Sequence, residues 1–209
     1  MTQLFKIVDL SQTIEYKMPV FPGDELTYLF QSKFLEQDYY NNHRLEISMH
    51  CGTHIDSVMH MTKSEEYISE ISATNFIAKG FILDVRNKQV ITMQKQYDDL
   101  IENQSIVLLY TGYDKFYGTN EYYEKHPIID NELCEFFVSK NIKMLGMDMP
   151  SPDFFPYDIH KLLFKNDICI IENLTNLDGL LGVSSFEIIA LPLKIKADSS
   201  IARVVARIY

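Results

Sequence analysis

Residues 50–60 of this chain read His50-Cys51-Gly52-Thr53-His54-Ile55-Asp56-Ser57-Val58-Met59-His60. Three of the six histidines of the chain lie in this stretch, together with one aspartate. Imidazole nitrogens and carboxylate oxygens are the ligands that zinc and similar divalent ions prefer. A single histidine is more often structural or solvated than a ligand, but this clustering favours a metal site.

The spacing of His50 and His54 predicts that the chain bends between them. In a fully extended strand the two residues would lie about 13 Å apart, at about 3.3 Å per residue. Two ligands of one ion must lie within a few ångströms of each other, and Gly52 is the residue that permits the bend. A continuous helix would align His50 with His54 but would turn Asp56 to another side. We therefore expect a bent loop that comes after a half-buried strand at residues 45–49.

The composition is that of an ordinary globular protein. The chain has 209 residues, of which 46% are hydrophobic and 23% are charged, and these values exclude wholesale disorder. No linker, low-complexity block or fixed-period repeat divides the sequence. We therefore expect residues 1–209 to form one domain.

The charge balance disfavours several classes of partner. Lys and Arg number 19 against 29 Asp and Glu, which gives a formal net charge of −10. Such an excess of negative charge repels phosphate backbones and anionic lipid, so neither nucleic acid nor a membrane surface is an expected partner. Three cysteines without a CxxC pair and a polar N-terminal segment predict a soluble cytoplasmic protein.

The hydrophobic patterns predict a mixed α/β domain with a substantial sheet. Strands are predicted at residues 5–10, 45–49, 80–85, 106–110, 144–147, 168–171, 186–191 and 203–208. Helices are predicted from a cap at Thr92 to about Leu100, over residues 131–140 with Asp130 or Asn131 as cap, and over residues 159–164. Residues 111–130 are interpreted as a long surface loop.

The stretch at residues 50–60 resembles the signature H-x-G-T-H-x-D-x-P-x-H of the cyclase family of metal-dependent hydrolases, whose best-known members are bacterial kynurenine formamidases. Every literal position matches except the proline, which is Val58. Four further blocks occur in the family's order: residues 19–24 are similar to P-x-W/F-P-G-D, 145–153 to G-I-D-x-x-S-x-D, 160–177 to H-x-x-L-L…E-N-L-x-N-L, and 190–203 to A-L-P-L-K…R-A. Agreement of this extent makes a chance match improbable.

The resemblance implies a binuclear metal site in a swivelling β/β/α domain with a central mixed sheet, usually in a homodimer or homotetramer. It implies that His50, His54 and Asp56 bind the first ion. Asp56 would also bridge to a second ion, held by His160 and Glu172. The two divalent ions would most simply be Zn²⁺, although Mn²⁺ accepts the same ligands.

The residues themselves support part of this assignment. Glu172 comes directly after a strand that is predicted to be buried, where a carboxylate costs several kcal/mol unless it is paired or bound to metal. His160 considered alone would sooner be a structural histidine. Asp153 is expected to shape the site or a turn. His43 and His126 match no motif of the family and are expected on the surface.

The resemblance implies a hydrolase of small amides, with His60 as the catalytic acid/base. Metal-activated water would attack an aryl formamide such as N-formylkynurenine, and His60 would deliver a proton to the departing nitrogen. Two alternatives stay open: hydrolysis of a cyclic amide (as in isatin hydrolases) or an ester, and a metal-binding module without turnover. The intact acid/base favours an enzyme, because a module that only binds metal does not need it.

Three departures from the family concern the substrate. Val58 replaces the motif proline, Met61 stands where relatives often carry an aromatic residue, and Tyr113 replaces a common Trp. Phe21 occupies a position where kynurenine formamidases present an aromatic ring to the substrate. It could stack on a substrate ring or only pack the turn at residues 21–24. None of these positions is a candidate metal ligand.

Overall fold

The structure is a computed structural model that describes residues 5–209. The strands of this part of the chain are β1 (Lys6–Asp9), β2 (Tyr28–Lys33), β3 (Asn42–Glu46), β4 (His54–Asp56), β5 (Ile77–Asp84), β6 (Val90–Ile91), β7 (Ile106–Tyr110), β8 (Ile128–Ile129), β9 (Met144–Met147), β10 (Cys169–Glu172), β11 (Phe186–Pro192) and β12 (Ser199–Ile208). The α-helices are α1 (Leu35–Asp38), α2 (Gln96–Leu100), α3 (Asn120–Glu124), α4 (Asn131–Ser139) and α5 (Asp158–Phe164).

Eight strands form one mixed sheet that closes on itself. The order is β1-β12-β11-β5-β7-β9-β10-β4, and β12 also pairs with β4. The four central strands β5, β7, β9 and β10 run parallel, whereas the remaining pairs are antiparallel. The predicted mixed α/β architecture with a central mixed sheet is therefore confirmed, and its closure into a barrel-like arrangement is an additional feature.

Three of the central strands, β7, β9 and β10, are buried on both faces, as parallel strands covered on both sides must be. Along β7, Val107 and Leu109 belong to the apolar cluster that includes residues of α4 and α5. Ile106 and Leu108 belong to a second cluster on the opposite face. This alternation of period two explains why β7 reads as an uninterrupted apolar run.

Most predicted elements are present, with ends shifted by a few residues. The strand at Ile106–Tyr110 and the strand at Met144–Met147 have the predicted bounds. The predicted cap of α4 is also confirmed, because the Asp130 side chain accepts a hydrogen bond from the Leu133 amide at 2.8 Å. Among residues 5–209, no helix is both long and apolar enough to cross a membrane.

Three predictions of secondary structure are wrong. Residues 111–130 are not a surface loop, because they form a 3₁₀ turn, α3 and β8, and Tyr122 is fully buried among aromatic neighbours. Thr92 does not cap a helix, since α2 begins only at Gln96. The strand predicted at residues 45–49 is β3, which spans Asn42–Glu46 and is exposed along its whole length. It pairs only with β2, in a two-stranded hairpin outside the main sheet.

Candidate metal centre

The closing strand β4 carries two of the predicted ligands on one face. His54 and Asp56 lie two residues apart, so their side chains point to the same side, while Ile55 between them is buried in the opposite core. Antiparallel pairing with β10 places His54 opposite Glu172. Before β4 the chain turns at Gly52, whose φ of 62° is left-handed. The predicted bend between His50 and His54 is confirmed.

The candidate ligand atoms are separated by distances typical of ligands that share an ion. His50 Nδ1 lies 2.9 Å from Asp56 Oδ1, and His54 Nε2 lies 3.4 Å from the same oxygen. His54 Nε2 also lies 3.4 Å from Glu172 Oε2, and His160 Nε2 lies 3.4 Å from Glu172 Oε1. Two donors bound tetrahedrally at about 2.1 Å would lie about 3.4 Å apart.

These side chains form two overlapping groups. One contains His50, His54 and Asp56, the other contains Asp56, His160 and Glu172, and each group brings its ligand atoms within 4.8 Å of one another. The structure therefore brings together all five predicted ligands, with Asp56 common to both groups. Ion binding by them stays a prediction.

The donor atoms themselves fit a cation. The Nδ1–H of His54 donates to the Gly52 carbonyl oxygen at 2.8 Å, which leaves an unshared pair on Nε2. That nitrogen faces two carboxylates, and His54 Nε2, Asp56 Oδ1 and Glu172 Oε1 are all buried without a hydrogen-bond partner. Acceptors that face one another in a buried site need a cation or a proton between them. The residues present therefore fit divalent ions.

Without ions, the two other histidines of this cluster hold their protons more tightly than a free imidazole does. Burial disfavours the charged form of His50, but the nearby carboxylates of Asp198 and Asp56 raise its pKa to about 10. Burial likewise opposes the charge on His160, whose pKa Asp153 and Glu172 raise to about 9. The pKa of Asp56 is lowered, since the attraction of His54 and His50 outweighs its burial.

Asp153 orients His160 at the start of α5. Its Oδ1 accepts a hydrogen bond from His160 Nδ1 at 2.5 Å, and its Oδ2 accepts one from the Ile159 amide at 2.7 Å. The first contact leaves His160 Nε2 facing Glu172 Oε1, as a candidate metal ligand. Asp153 thus has the site-shaping role that its motif suggested.

Asn173 ties the bend before β4 to the end of β10. Its side-chain amide donates to the Gly52 carbonyl oxygen at 2.9 Å, and its backbone carbonyl accepts from Thr53 Oγ1 at 2.7 Å. The Tyr122 hydroxyl donates to Asn173 Oδ1 at 2.8 Å. The segment that was expected to be a surface loop is therefore hydrogen-bonded, through Asn173, to the bend that precedes the candidate ligands.

His60 lies outside the two ligand groups, but it forms a third group of possible metal ligands with His50 and Asp198. Its ring centroid is 4.2 Å from that of His50 and 6.5 Å from that of His160. Its Nδ1 lies 3.0 Å from Asp198 Oδ2, an oxygen that also lies 2.9 Å from His50 Nε2. Asp198 was missed by the sequence analysis, because it lies 138 residues after His60 and no spacing rule connects the two.

A cavity of about 280 Å³ opens onto both ligand groups and onto His60. Its aromatic walls are Phe21, Tyr117, Tyr123, Phe154 and Tyr157. His126 also lines the cavity and is only 3% exposed, so the prediction that it lies on the surface is wrong. It stacks on Phe154 with ring centroids 4.2 Å apart. The same prediction for His43 is confirmed, since that residue is exposed.

Phe21 lies at the rim of the cavity. It is 42% exposed, and its ring meets Tyr123 edge to face with centroids 5.7 Å apart. The turn at residues 21–24 is present, with the Asp24 amide donating to the Phe21 carbonyl at 3.0 Å. Phe21 both packs the turn and presents a ring to the cavity, so the two interpretations of this residue stay open.

Replacement of Asp153 should destabilise the protein, because the ring of His160 loses its hydrogen-bond partner. We expect Asp153→Asn to lower the free energy of unfolding by about 1–3 kcal/mol, because a buried hydrogen bond to an ionised group is lost. The control is Asp158→Asn, an acid in the first turn of the same helix whose side chain is 73% exposed. Urea unfolding of both variants measures the difference, and equal losses would contradict the role given to Asp153.

Comparisons with known proteins place this chain in a family. The profile of the family described as "Putative cyclase" matches residues 8–154. Kynurenine formamidases of Bacillus cereus and Bacillus anthracis are each 30% identical to it, over 207 and 209 residues, and the alignments cover 96% and 97% of both chains.

Solved structures agree with the fold. Isatin hydrolase A of Labrenzia aggregata, bound to benzyl benzoate, superimposes with a TM-score of 0.86 at 23% identity, covering 98% of this chain and 94% of the other. An isatin hydrolase bound to the product analogue thioisatinate gives a TM-score of 0.87 at 20% identity, covering 98% and 92%. With the family profile and the formamidase relatives, the conclusion is plain: this chain belongs to the cyclase family.

Proposed function

We propose that this protein hydrolyses the C–N bond of a small aryl formamide, such as N-formylkynurenine, to formate and an amine. Identity of 30% to kynurenine formamidases over nearly the whole length supports a hydrolase of this bond. The observation that carries the proposal is the set of buried, unpartnered ligand atoms on His54, Asp56 and Glu172 at an aromatic-walled cavity.

The proposed site holds two divalent ions, most simply Zn²⁺ with Mn²⁺ as the alternative. His50, His54 and Asp56 would hold the first ion, and Asp56, His160 and Glu172 the second. Bound there, the ions would lower the pKa of water from near 15.7 towards about 7 and would polarise the amide carbonyl. Both metals accept imidazole and carboxylate ligands, so the donor set does not distinguish them.

His60 moves the proton. Addition of water to the formyl carbon releases a proton, which His60 accepts and then delivers to the amide nitrogen as the C–N bond breaks. Protonation is needed because an anilide anion is a poor leaving group. The walls formed by Phe21 and Tyr123 would hold the aromatic ring and keep water from its face. One water and one formamide are thereby consumed, and one formate, one amine and one proton released to solvent are formed.

The alternatives remain a cyclic amide, a small ester and a metal-binding module without turnover. The isatin hydrolases share the fold at 20–23% identity, which does not assign their substrate to this chain. A substrate panel of formylkynurenine, isatin, aryl amides and aryl esters separates the first two from the formamide. Absence of turnover with every compound by metal-loaded protein would leave the binding module.

Turnover tests the proposed function directly. Metal-loaded wild-type protein should hydrolyse N-formylkynurenine, and treatment with a chelator should abolish this activity. His60→Ala should keep its metal but lose about 10²–10⁴ in turnover, since general acid–base catalysis contributes that much. Product absorbance and elemental analysis give the two readouts. Loss of metal in His60→Ala would make this residue a ligand instead of the acid/base.

The bridging role of Asp56 can be tested by metal content. Asp56→Asn removes the negative charge and one good donor oxygen while keeping the size of the side chain. It should therefore deplete both ions, whereas Glu172→Gln should deplete mainly the second. Metal per chain is measured by elemental analysis after dialysis, with circular dichroism to check folding. Equal depletion in the two variants, or one ion per wild-type chain, would contradict a bridged pair.

The two interpretations of Phe21 predict different kinetics. If its ring stacks on the substrate, Phe21→Ala should weaken the binding of aryl formamides by about 1–2 kcal/mol and spare aliphatic ones. Phe5→Ala is the control, because Phe5 is equally exposed at 42% and does not line the cavity. Equal losses for both substrate classes would show that Phe21 only supports the turn.

Assembly as a homodimer or homotetramer is also a proposal, and the surface that supports it is the hairpin arm, residues 28–46. Its exposed apolar side chains are Tyr28, Phe30, Phe34, Leu35, Tyr39, Tyr40 and Leu45. A two-stranded ribbon is marginal by itself, so cover from another chain would stabilise it. The arm carries two cations and three carboxylates, far closer to neutral than the chain's −10, so a second copy is not repelled there.

Molar mass in solution tests the role of the hairpin arm. Light scattering should give a mass of two or four chains for the wild type and of fewer chains for Phe30→Asp. The matched control is Val90→Asp, which adds the same charge at an apolar residue that is 44% exposed on β6. A wild-type monomer, or equal dissociation of both variants, would refute the assignment.

The three cysteines support the proposal that the protein works in a reducing cytoplasm. Cys51, Cys134 and Cys169 are all buried as free thiols. Burial raises the pKa of Cys51, so this thiol is less acidic than usual, which argues against a nucleophilic role. Fractionation of cells that produce the protein is the direct test of its location.

A further inference from the structure

Asp198 connects the start of β12 to the turn that carries His60. Its Oδ2 lies 3.0 Å from His60 Nδ1 and 2.9 Å from His50 Nε2. Its backbone carbonyl accepts two hydrogen bonds from Ser57, from the amide at 3.1 Å and from Oγ at 2.7 Å. The His60 amide in turn donates to the Ser57 carbonyl at 3.0 Å. Both the backbone and the ring of His60 are thus tied to Asp198.

We propose that Asp198 is a positioning residue for catalysis, which orients the ring of His60 and fixes its tautomer. A carboxylate can only accept, so the shared hydrogen must lie on His60 Nδ1. Nε2 is then the nitrogen that remains for the substrate in the cavity that His60 lines. The inference rests on the proposed function, in which His60 is the acid/base, and adds the residue that orients the ring of His60.

The contact also has an electrostatic consequence during turnover. Nε2 of His60 takes a proton from the attacking water and gives it to the amide nitrogen as the C–N bond breaks, so the ring is briefly an imidazolium. A carboxylate on the opposite nitrogen stabilises that cation and prevents the ring from rotating away. No electrons are exchanged, and His60 returns to its starting state once formate and the amine have formed.

Asp198 also touches His50, so its loss could act on a metal ligand instead of on His60. Ser199 separates these two effects. Its Oγ lies 2.9 Å from the same His50 Nε2, and it has no hydrogen bond with His60. Ser199→Ala therefore perturbs His50 alone, whereas Asp198→Ala perturbs both histidines. The alanine at position 198 keeps the backbone carbonyl that Ser57 holds.

The test uses two formamides that differ in the basicity of the amine they release. Formanilide releases aniline and depends on protonation, whereas 4-nitroformanilide releases a much weaker base. Asp198→Ala should lower kcat for formanilide about 10- to 10²-fold, with little change in KM. The loss for 4-nitroformanilide should be smaller, because its amine leaves with less help from a proton, although His60 still accepts the proton of the attacking water. Ser199→Ala should affect both substrates alike. An equal loss of kcat for both substrates in Asp198→Ala would overturn the proposal.

A double variant supplies a second kinetic criterion. If Asp198 acts on catalysis through His60, adding Asp198→Ala to His60→Ala should cause no loss of activity beyond the one that Ser199→Ala causes through His50. A multiplicative loss would assign Asp198 a separate role and refute the positioning one. Asp198→Asn, which keeps the volume, replaces the alanine variant if that variant does not fold.

Ring-nitrogen NMR tests the contact independently of turnover. In wild-type protein the ¹⁵N shifts of His60 should report hydrogen on Nδ1, and Asp198→Ala should move it towards the Nε2–H tautomer that neutral histidine favours in water. An unchanged tautomer would overturn the proposal. If no formamide is hydrolysed by the wild type, the proposed function fails, whereas the NMR result still decides whether Asp198 orients the ring.

Discussion

The structure depends on the burial of two carboxylates, Asp56 and Glu172, which are 1% and 6% exposed. Each would cost several kcal/mol in a dry interior without a partner. Their near neighbours are the rings of His50, His54 and His160. No permanent cation of Lys or Arg reaches either carboxylate among the ion pairs of residues 5–209. Compensation must therefore come from a bound ion or from protonated histidine.

The strand pairing that closes the sheet also brings the residues of the candidate site together. The strand β4 pairs with β10 on one side and with β12 on the other, and no other strand of the described chain joins these two. Asp56 lies opposite Ile170 of β10 and Ser199 of β12, so the same register that closes the barrel places Asp198 near His60. A shift of one residue in β4 would turn His54 and Asp56 into the apolar core that Ile55 occupies.

The local features of the candidate site could be predicted from the sequence, and the order of the motifs indicated the family. Residues 50–60 carry three candidate ligands and the proposed acid/base within one turn and one strand, and Gly52 indicates the bend between them. Glu172 was recognisable because a carboxylate ends a strand of buried type. His160 depended on the resemblance alone, since a single histidine on a short helix carries no signal of its own.

The features that the sequence could not predict are set by tertiary packing. Asp198 reaches His60 only because β12 pairs with β4, a contact that local pattern does not encode. His126 looked like a surface histidine, but Phe154 and the cavity walls enclose it. The polar, tyrosine-rich residues 111–130 resembled a loop. Their tyrosines instead pack against one another, with centroids of Tyr117 and Tyr122 5.4 Å apart.

The charge of the site explains why protons and metal ions would compete for it. In the ion-free protein the pKa of His50 is raised to about 10 and that of His160 to about 9, so both rings are protonated at neutral pH. Because both values exceed the ordinary 6.5, their stabilising effect is complete below about pH 6.5 and is lost as the pH rises through about 9. Ion binding must displace these protons, so it both releases protons and strengthens with pH. The carboxylates would thus be compensated in either state, by imidazolium without an ion and by the proposed ion once it is bound.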